Sequence, residues 1–412
     1  MSYSEQTIRH LPYFEALAQM DEGDPSWRTT SAGLVVLRLI DAWLEEGAHV
    51  AASDSWGMRA VRETVNGVSP GSAERSILIG ILDAMEGAAV PSLAPIAPRL
   101  MAYGRALDFA GKWHLAGDVF RTIVAHVHPD EDADVAIDAN LRIGYCSRML
   151  GDLEVAAAAY TRAGLIAESM GDMVKILYSQ LGAANIAKAR GNLPHAEEIL
   201  SRTYERATAN QLPEVGALAL HDRSTIAHAR GEYERAIRLA YEALGATTKP
   251  TGRDRLLADI ASSFLELGVR TAARDALLVL ANTAQERFSR WSATLGLLHI
   301  AALDGREPVF DQYRRELAAA PLPSFLEAEF YLYTGRCYRH LGRIDAARAS
   351  LTRAVEIATR YEYNQIVFMA EEQLRQLQSG ARAAEAASAP MESIRHVADA
   401  LSEMRALVGI AG

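Results

Sequence analysis

Apolar residues recur along this chain at three- and four-residue spacing, the stripe of an amphipathic helix. GLVVLRLIDAWLEEGAHV (33–50) and SAERSILIGILDAMEG (72–87) show it near the beginning. MESIRHVADALSEMRALVGI (391–410) shows it at the end, with Ile394, Val397, Leu401, Met404 and Leu407 on one face. Ala, Leu, Arg and Glu dominate, while β-branched residues rarely come in runs. Both features favour helix over strand, so the pattern predicts an all-α chain.

Between these ends the helical pattern is punctuated by glycines. GKWHLA at 111, GDLEVA at 151, GNLPHA at 191, GEYERA at 231, GVRTAA at 268, GREPVF at 305 and GRIDAA at 342 are separated by 40, 40, 40, 37, 37 and 37 residues. Each glycine ends one helical stretch and precedes another, as a helix-stopping glycine does. Seven residues upstream stand Gly104, Gly144, Ala184, Ser224, Ala261, Leu298 and Gly335, six of them small enough for two helices to cross closely. Five residues downstream stand Ala116, Ala156, Ala196, Ala236, Ala273, Phe310 and Ala347. Four further on come Phe120, Tyr160, Leu200, Ala240, Leu277, Arg314 and Leu351, mostly large and apolar. Small and large residues at fixed offsets predict about seven interlocking helical hairpins, the sixth degenerate at Phe310 and Arg314. Pro129, Pro213, Pro250, Pro321 and Pro323 fall between hairpins, and Pro194 in a turn within one, so none interrupts a helix.

The frame of small, Gly, Ala and aromatic positions is best kept in LRIGYCSRMLGDLEVAAAAYTRAG (141–164) and YLYTGRCYRHLGRIDAARASLTRAV (331–355). It resembles the tetratricopeptide-repeat family over roughly residues 93–377. That resemblance implies a right-handed α-solenoid with helical caps. The family's usual period is about 34 residues, shorter than the intervals here. In that respect the chain is similar to the long-repeat solenoids of bacterial sensor and regulator proteins, with the extra residues placed in longer helices or larger loops. A HEAT or armadillo solenoid is the structural rival, disfavoured by the Gly-to-Ala turn signature.

Four segments follow. Residues 1–92 are helical but outside the repeat, with Trp27, Trp43 and Trp56, and serve as a capping region or an oligomerisation element. Residues 93–377 are the repeats. QSGARAAEAASAP (378–390) is a small-residue linker, and 391–412 an amphipathic helix that caps the solenoid or engages a groove or partner.

The formal charge of −10 argues against broad adhesion to nucleic acid or anionic lipid, and no helix-turn-helix with a basic recognition helix is apparent. No apolar run approaches a membrane span and no secretory signal is visible. With two cysteines in 412 residues, the expected location is cytoplasmic. Phosphate loop, GxSxG, HExxH and CxxC patterns are absent, so neither an enzyme nor a cofactor is expected. Cys146 and Cys337 occupy equivalent places and read as packing residues. His126, His128, Asp130 and Asp132 can either bind a metal or form a solvated loop; the loop is the simpler reading.

The family resemblance implies that the first helix of each hairpin lines the concave face through its second, fifth, ninth and twelfth positions. Counting each hairpin glycine as position fifteen assigns Met101, Arg105 and Asp108 in the first hairpin, and Leu141, Tyr145 and Arg148 in the second. Tyr178, Leu181, Asn185 and Lys188 follow in the third, then His221, Thr225 and His228 in the fourth. Arg255, Ser262, His299, Glu329, Leu332, Arg336 and Arg339 complete the stripe. The residues so assigned hold six Lys or Arg and three His against two acids, so a basic groove for an acidic segment is expected, unless neighbouring acids answer those charges. Asn185 stands where the family's peptide binders hold a bound backbone. Leu181 and Asp222 replace other members of the two-carboxylate clamp, which puts chaperone-type acidic tails in doubt. The function expected is that of a scaffold, adaptor or ligand-sensing regulator binding a protein or peptide. The alternative is a structural subunit that self-assembles, as a homo-oligomer or within a larger complex, through its helical ends.

Overall fold

The computed structural model describes residues 8–46, 55–127, 132–361, 363–379 and 392–409, without the side chains at 46, 55, 56 and 379. Among these residues the chain forms twenty α-helices, one 3-10 turn and no strand. No described helix is long and apolar enough to cross a membrane. Two compact units are present, Met1–Asn210 and Gln211–Gly412.

The first unit opens with α1 (Leu11–Ala18), α2 (Pro25–Glu46), α3 (Ser55–Asn66) and α4 (Ala73–Glu86). Three hairpins follow: α5 (Ala97–Phe109) with α6 (Trp113–His126), α7 (Ala133–Met149) with α8 (Leu153–Met170), and α9 (Met173–Ala189) with α10 (Leu193–Ala209). One apolar cluster runs from Leu37, Ile40 and Trp43 through Ile81 and Leu100 to Phe120 and Cys146, so the opening helices cover the first hairpin's core. Trp27 is half-buried, and the Trp56 side chain lies outside the described residues.

The second unit holds α11 (Pro213–Ala229) with α12 (Tyr233–Ala246), α13 (Pro250–Glu266) with α14 (Arg270–Thr283), α15 (Arg287–Leu303) with α16 (Glu307–Ala319), and α17 (Ser324–His340) with α18 (Ile344–Arg360). Two more helices, α19 (Asn364–Ser379) and α20 (Arg395–Leu407), complete it. Pro213 and Pro250 are first residues of α11 and α13, where a missing N–H costs no helical bond.

The seven hairpin glycines all have φ between +66° and +81°. A side chain there would be strained, and the left-handed step is what closes the turn. At Gly151 the N–H of Asp152 reaches back to the Ser147 carbonyl at 2.9 Å, capping α7, while Asp152 accepts from Val155 N to start α8. The small residues seven places earlier are there because a large one lies against them. A Cβ on Gly144 would sit 2.8 Å from the Tyr160 ring, and one on Gly335 2.6 Å from Leu351. Phe310, the departure in the sixth hairpin, is fully buried and meets Tyr338 edge-on at 5.4 Å. The larger residue is part of that hairpin's apolar cluster, with Leu298 and Leu317.

In the 40-residue intervals that begin at Gly151 and Gly191 the extra length lies in the second helices: α8 and α10 have 18 and 17 residues, whereas α12, α14 and α16 have 14, 14 and 13. In the interval that begins at Gly111 the second helix α6 has only 14 residues, and the extra length falls between α6 and α7. From α7 onward every first helix of a hairpin has 17 residues.

The C-terminal helix α20 lies against the second helices α12 and α14. Ile394, Val397 and Leu401 are buried there, whereas Leu407 stands 87% exposed. Arg405 pairs with Asp275 at 3.5 Å, His396 meets Tyr241 edge-on, and Ser393 bonds Glu234. Residues 380–391, which contain nearly all of the expected linker, lie outside the described part of the chain.

Candidate functional site

In the first unit the expected stripe occupies α5, α7 and α9, with α7 packed on both of the others. Arg105 is exposed, while Tyr145, Arg148, Tyr178, Asn185 and Lys188 are half-buried. The Arg148 guanidinium lies over the Tyr145 ring, 5.3 Å from its centroid, and also hydrogen-bonds the Tyr160 hydroxyl. Burial, with the Asp108 carboxylate nearby, pushes the Tyr145 hydroxyl up and keeps it neutral. The Asn185 amide donates to the Leu181 carbonyl at 3.1 Å, and both Asn185 and Lys188 make further contacts within the protein. Asp138, at the second position of α7, adds an acid that the stripe above omitted; it pairs with Lys175 at 3.1 Å.

In the second unit the structure brings His221, Thr225 and His228 of α11 against α13. His221 Nε2 lies 2.6 Å from Asp259 Oδ2, and His228 Nδ1 lies 2.9 Å from Ser263 Oγ. Thr225, His228, Asp259, Ser262 and Ser263 border a cavity of about 90 Å³. Farther along, Tyr333 of α17 sits between His299, edge-on at 5.5 Å, and Arg336, whose guanidinium is 5.5 Å from its centroid. Burial, reinforced by Arg336, His340 and Arg270, pushes His299 down to about 4, so its imidazole is neutral at physiological pH. Burial also raises the Glu329 carboxyl to about 7. Arg339 donates to Gln376 Oε1 at 2.6 Å, and burial together with Arg336 lowers its pKa.

Asp259 and Tyr333 were missed by the sequence reading, and both occupy the sixth position of a first helix. Positions two, six and nine are spaced four and three, so the sixth flanks the same open face. Counting it would have brought both residues into view, Asp259 as an acid that the structure sets beside His221.

Two arrangements elsewhere had no sequence signal. A cavity of about 430 Å³ opens on the opposite face of α9, between α8 and α10, lined among others by Tyr160, Leu165, Ser179, Ile186, Arg190 and Ile199. Inside the first unit, His10 places Nδ1 2.7 Å from Asp118 and Nε2 3.2 Å from Asp41, while His126 Nε2 lies 2.9 Å from the other Asp41 oxygen. His10 is raised to about 9: burial opposes the charge, but the Asp118 and Asp41 hydrogen bonds outweigh it. Asp41 is buried, which opposes its charge, yet the two histidines hold its carboxyl well below the usual range. His126 thus joins α2 and α6, while His128 and Asp130 lie outside the described residues. Among the described residues no group of three or more His, Cys, Asp or Glu is placed to hold a metal ion. Cys146 and Cys337 are buried free thiols, both pushed up to about 12 by burial, as packing residues should be.

The tetratricopeptide-repeat model matches residues 329–357, most of α17 and the larger part of α18. No curated protein matches the chain in sequence. Among solved structures the chain is similar to the Rap conjugation gene regulator of the plasmid pLS20 in complex with the Phr* peptide. Identity there is 12%, over 88% of this chain and 98% of that one, with a TM-score of 0.47. It is also similar to a Rap protein complexed with competence and sporulation factor (12% identity, 84% and 98% covered, TM-score 0.36). The APC/C hetero-tetramer Cut9-Hcn1 is a further match (11% identity, 95% and 92% covered, TM-score 0.37). The seventh hairpin thus matches a tetratricopeptide repeat, and the same frame of small residue, glycine and alanine recurs in most of the hairpins before it.

Proposed function

We propose that the protein is a binding module, acting as scaffold, adaptor or ligand-sensing regulator, whose first-helix stripe holds a peptide or an extended protein segment. The observation that carries this reading is the repeated pairing of a cation with an aromatic face on first helices: Arg148 on Tyr145, and Arg336 on Tyr333. Such pairs are partly exposed, rigid and amphipathic, the combination that anchors a bound chain at low entropic cost. Net attraction for acidic groups is part of the proposal. It is weakened locally where Asp259 meets His221 and strongest where guanidiniums lack an acid.

The test is selection from a displayed random peptide library, with the stripe altered in the first unit. Reversal of Arg148 and Lys188 to Glu is expected to lower affinity for the selected peptides by at least about tenfold, with the helical signal retained. Binding by the wild-type chain weakens with added salt if acidic residues are selected. Reversal of Arg202 and Arg206, on the second helix α10, is the control. Arg202 is 65% exposed and bonds Glu198 on its own helix, so little stability rests on it. Loss of binding in the control pair and not in the stripe pair would place the ligand on the second-helix side.

A further inference from the structure

On the open face of α17, Glu329 and Arg336 are seven residues apart and so share one helical stripe. At 1.5 Å per residue they lie about 10 Å apart along the axis. Neither forms an ion pair among the described residues, although the Glu266 carboxylate of α13 lies near the Tyr333 ring. Glu329 is governed by burial alone, with no cation acting on it. Arg336 has the Tyr333 ring beneath it and Arg339 one turn away, a like charge that bonds the neutral amide of Gln376. Elsewhere in this unit partly buried charges find partners, as Arg405 does with Asp275 and Arg270 with Asp304. A half-buried carboxyl without a cation and a half-buried guanidinium without an acid, both facing one groove, are complementary to a ligand bearing both charges.

Resting on the peptide-binding reading, we infer that Glu329 and Arg336 form the two poles of a subsite for a segment carrying an ammonium or guanidinium group and a carboxylate about three residues apart. An extended chain advances about 3.3 Å per residue, so three residues span the 10 Å between the poles. The basic group lies at Glu329 and the acidic group at Arg336, where the planar guanidinium takes a carboxylate through two parallel hydrogen bonds. Tyr333, between the poles and braced by His299, offers its face and edge to the intervening residues. The raised carboxyl of Glu329 fits this arrangement, because a buried acid without a cation gains one when the ligand arrives.

The experiment is selection from a random heptapeptide display library on the full chain and on three variants: Glu329→Gln, Arg336→Gln and the exchanged pair Glu329→Arg with Arg336→Glu. Wild type returns sequences in which a Lys or Arg and an Asp or Glu are three positions apart in one order. E329Q loses the basic preference and keeps the acidic one, R336Q does the converse, and the exchanged pair returns the reversed order. Against a synthetic wild-type winner, each single variant weakens binding about tenfold, the loss of one charge-assisted contact. Both positions are half-exposed, and the two isosteric Gln variants keep the test valid should the exchanged pair unfold. A charge order unchanged in the exchanged pair, or a wild-type consensus that the Gln variants leave unaltered, overturns the subsite and leaves the peptide-binding reading standing. If wild type selects no peptide at all, the reading itself falls and the subsite with it.

Discussion

Replacing Asp41 by Ala is expected to cost the first unit about 3–5 kcal/mol, the usual loss when one member of a buried charged set is removed. His10 is 4% exposed at its side chain and Asp41 12%, so solvent screens neither appreciably. Both His10 nitrogens face carboxylates, and without Asp41 its Nε2 and the His126 ring lose their acceptor together. The wild-type unit carries a matching pH signature. The pKa of His10 is raised in the fold, from 6.5 to about 9, so its stabilisation is complete below 6.5 and lost as pH rises through about 9. Asp41 is lowered in the fold, so its contribution is present above 3.8 and lost only as the solution becomes more acid. Stability of this unit is therefore expected to be flat from about pH 4 to 6.5 and to fall by a few kcal/mol by pH 9. In the Asp41→Ala variant Asp118 alone still faces His10, and the alkaline decline becomes shallower. Hydrogen exchange of α1 and α2 at pH 6 and 9 measures it; equal protection at both values would contradict the role given to His10.

Ala156→Arg is expected to remove most of the remaining stability of the same unit. Ala156 is 0% exposed, in a small cluster with Tyr160 and Ile186 where α8 crosses its neighbours. An arginine there both overpacks the crossing, at about 1–3 kcal/mol, and buries a charge with no acid to meet it. The sum is comparable with the 5–15 kcal/mol by which an ordinary domain is stable. Arg314→Ala, at the corresponding large-residue place of the sixth hairpin, removes only a half-exposed i, i+3 contact with Asp311 at 3.4 Å. Its effect is expected to stay within about 0.5 kcal/mol. Chemical denaturation of the two variants side by side decides it, and similar midpoints would mean that the hairpin frame is misplaced.

The hairpin frame could be read in the sequence because it is written locally. A glycine at positive φ recurs in all seven hairpins, with a small residue seven places before it and an Ala five places after it in six of them. The lengths of the helices were less legible, since an interval of 40 residues does not say whether a helix or a loop has grown. Of the candidate site, the sequence offered residues on α7, α9, α11 and α17, but not their partners. Asp259 and Gln376 come from helices 38 and 37 residues away, and no local pattern couples them to His221 and Arg339. The buried set around His10 was wholly hidden. Its members are 31 and 108 residues apart, and His126 resembled part of a polar loop until the fold carried it onto Asp41.

The constancy of the first helices, set against the variable second ones, fixes where this chain can change length. Three residues added to a first helix would turn every later side chain by about 300°, so groove residues beyond the insertion would leave the open face. The same three residues at the end of a second helix lengthen it by about 4.5 Å and are absorbed before the next first helix starts. The chain already contains both outcomes, in α10 and α12, with 17-residue first helices preceding each. The angular phase of the proposed binding face is thus insulated from the variable length of the second helices. Second helices can be exchanged or trimmed by about a turn while the neighbouring first helix keeps its presentation, and groove residues can diverge without disturbing the lengths that hold them in step.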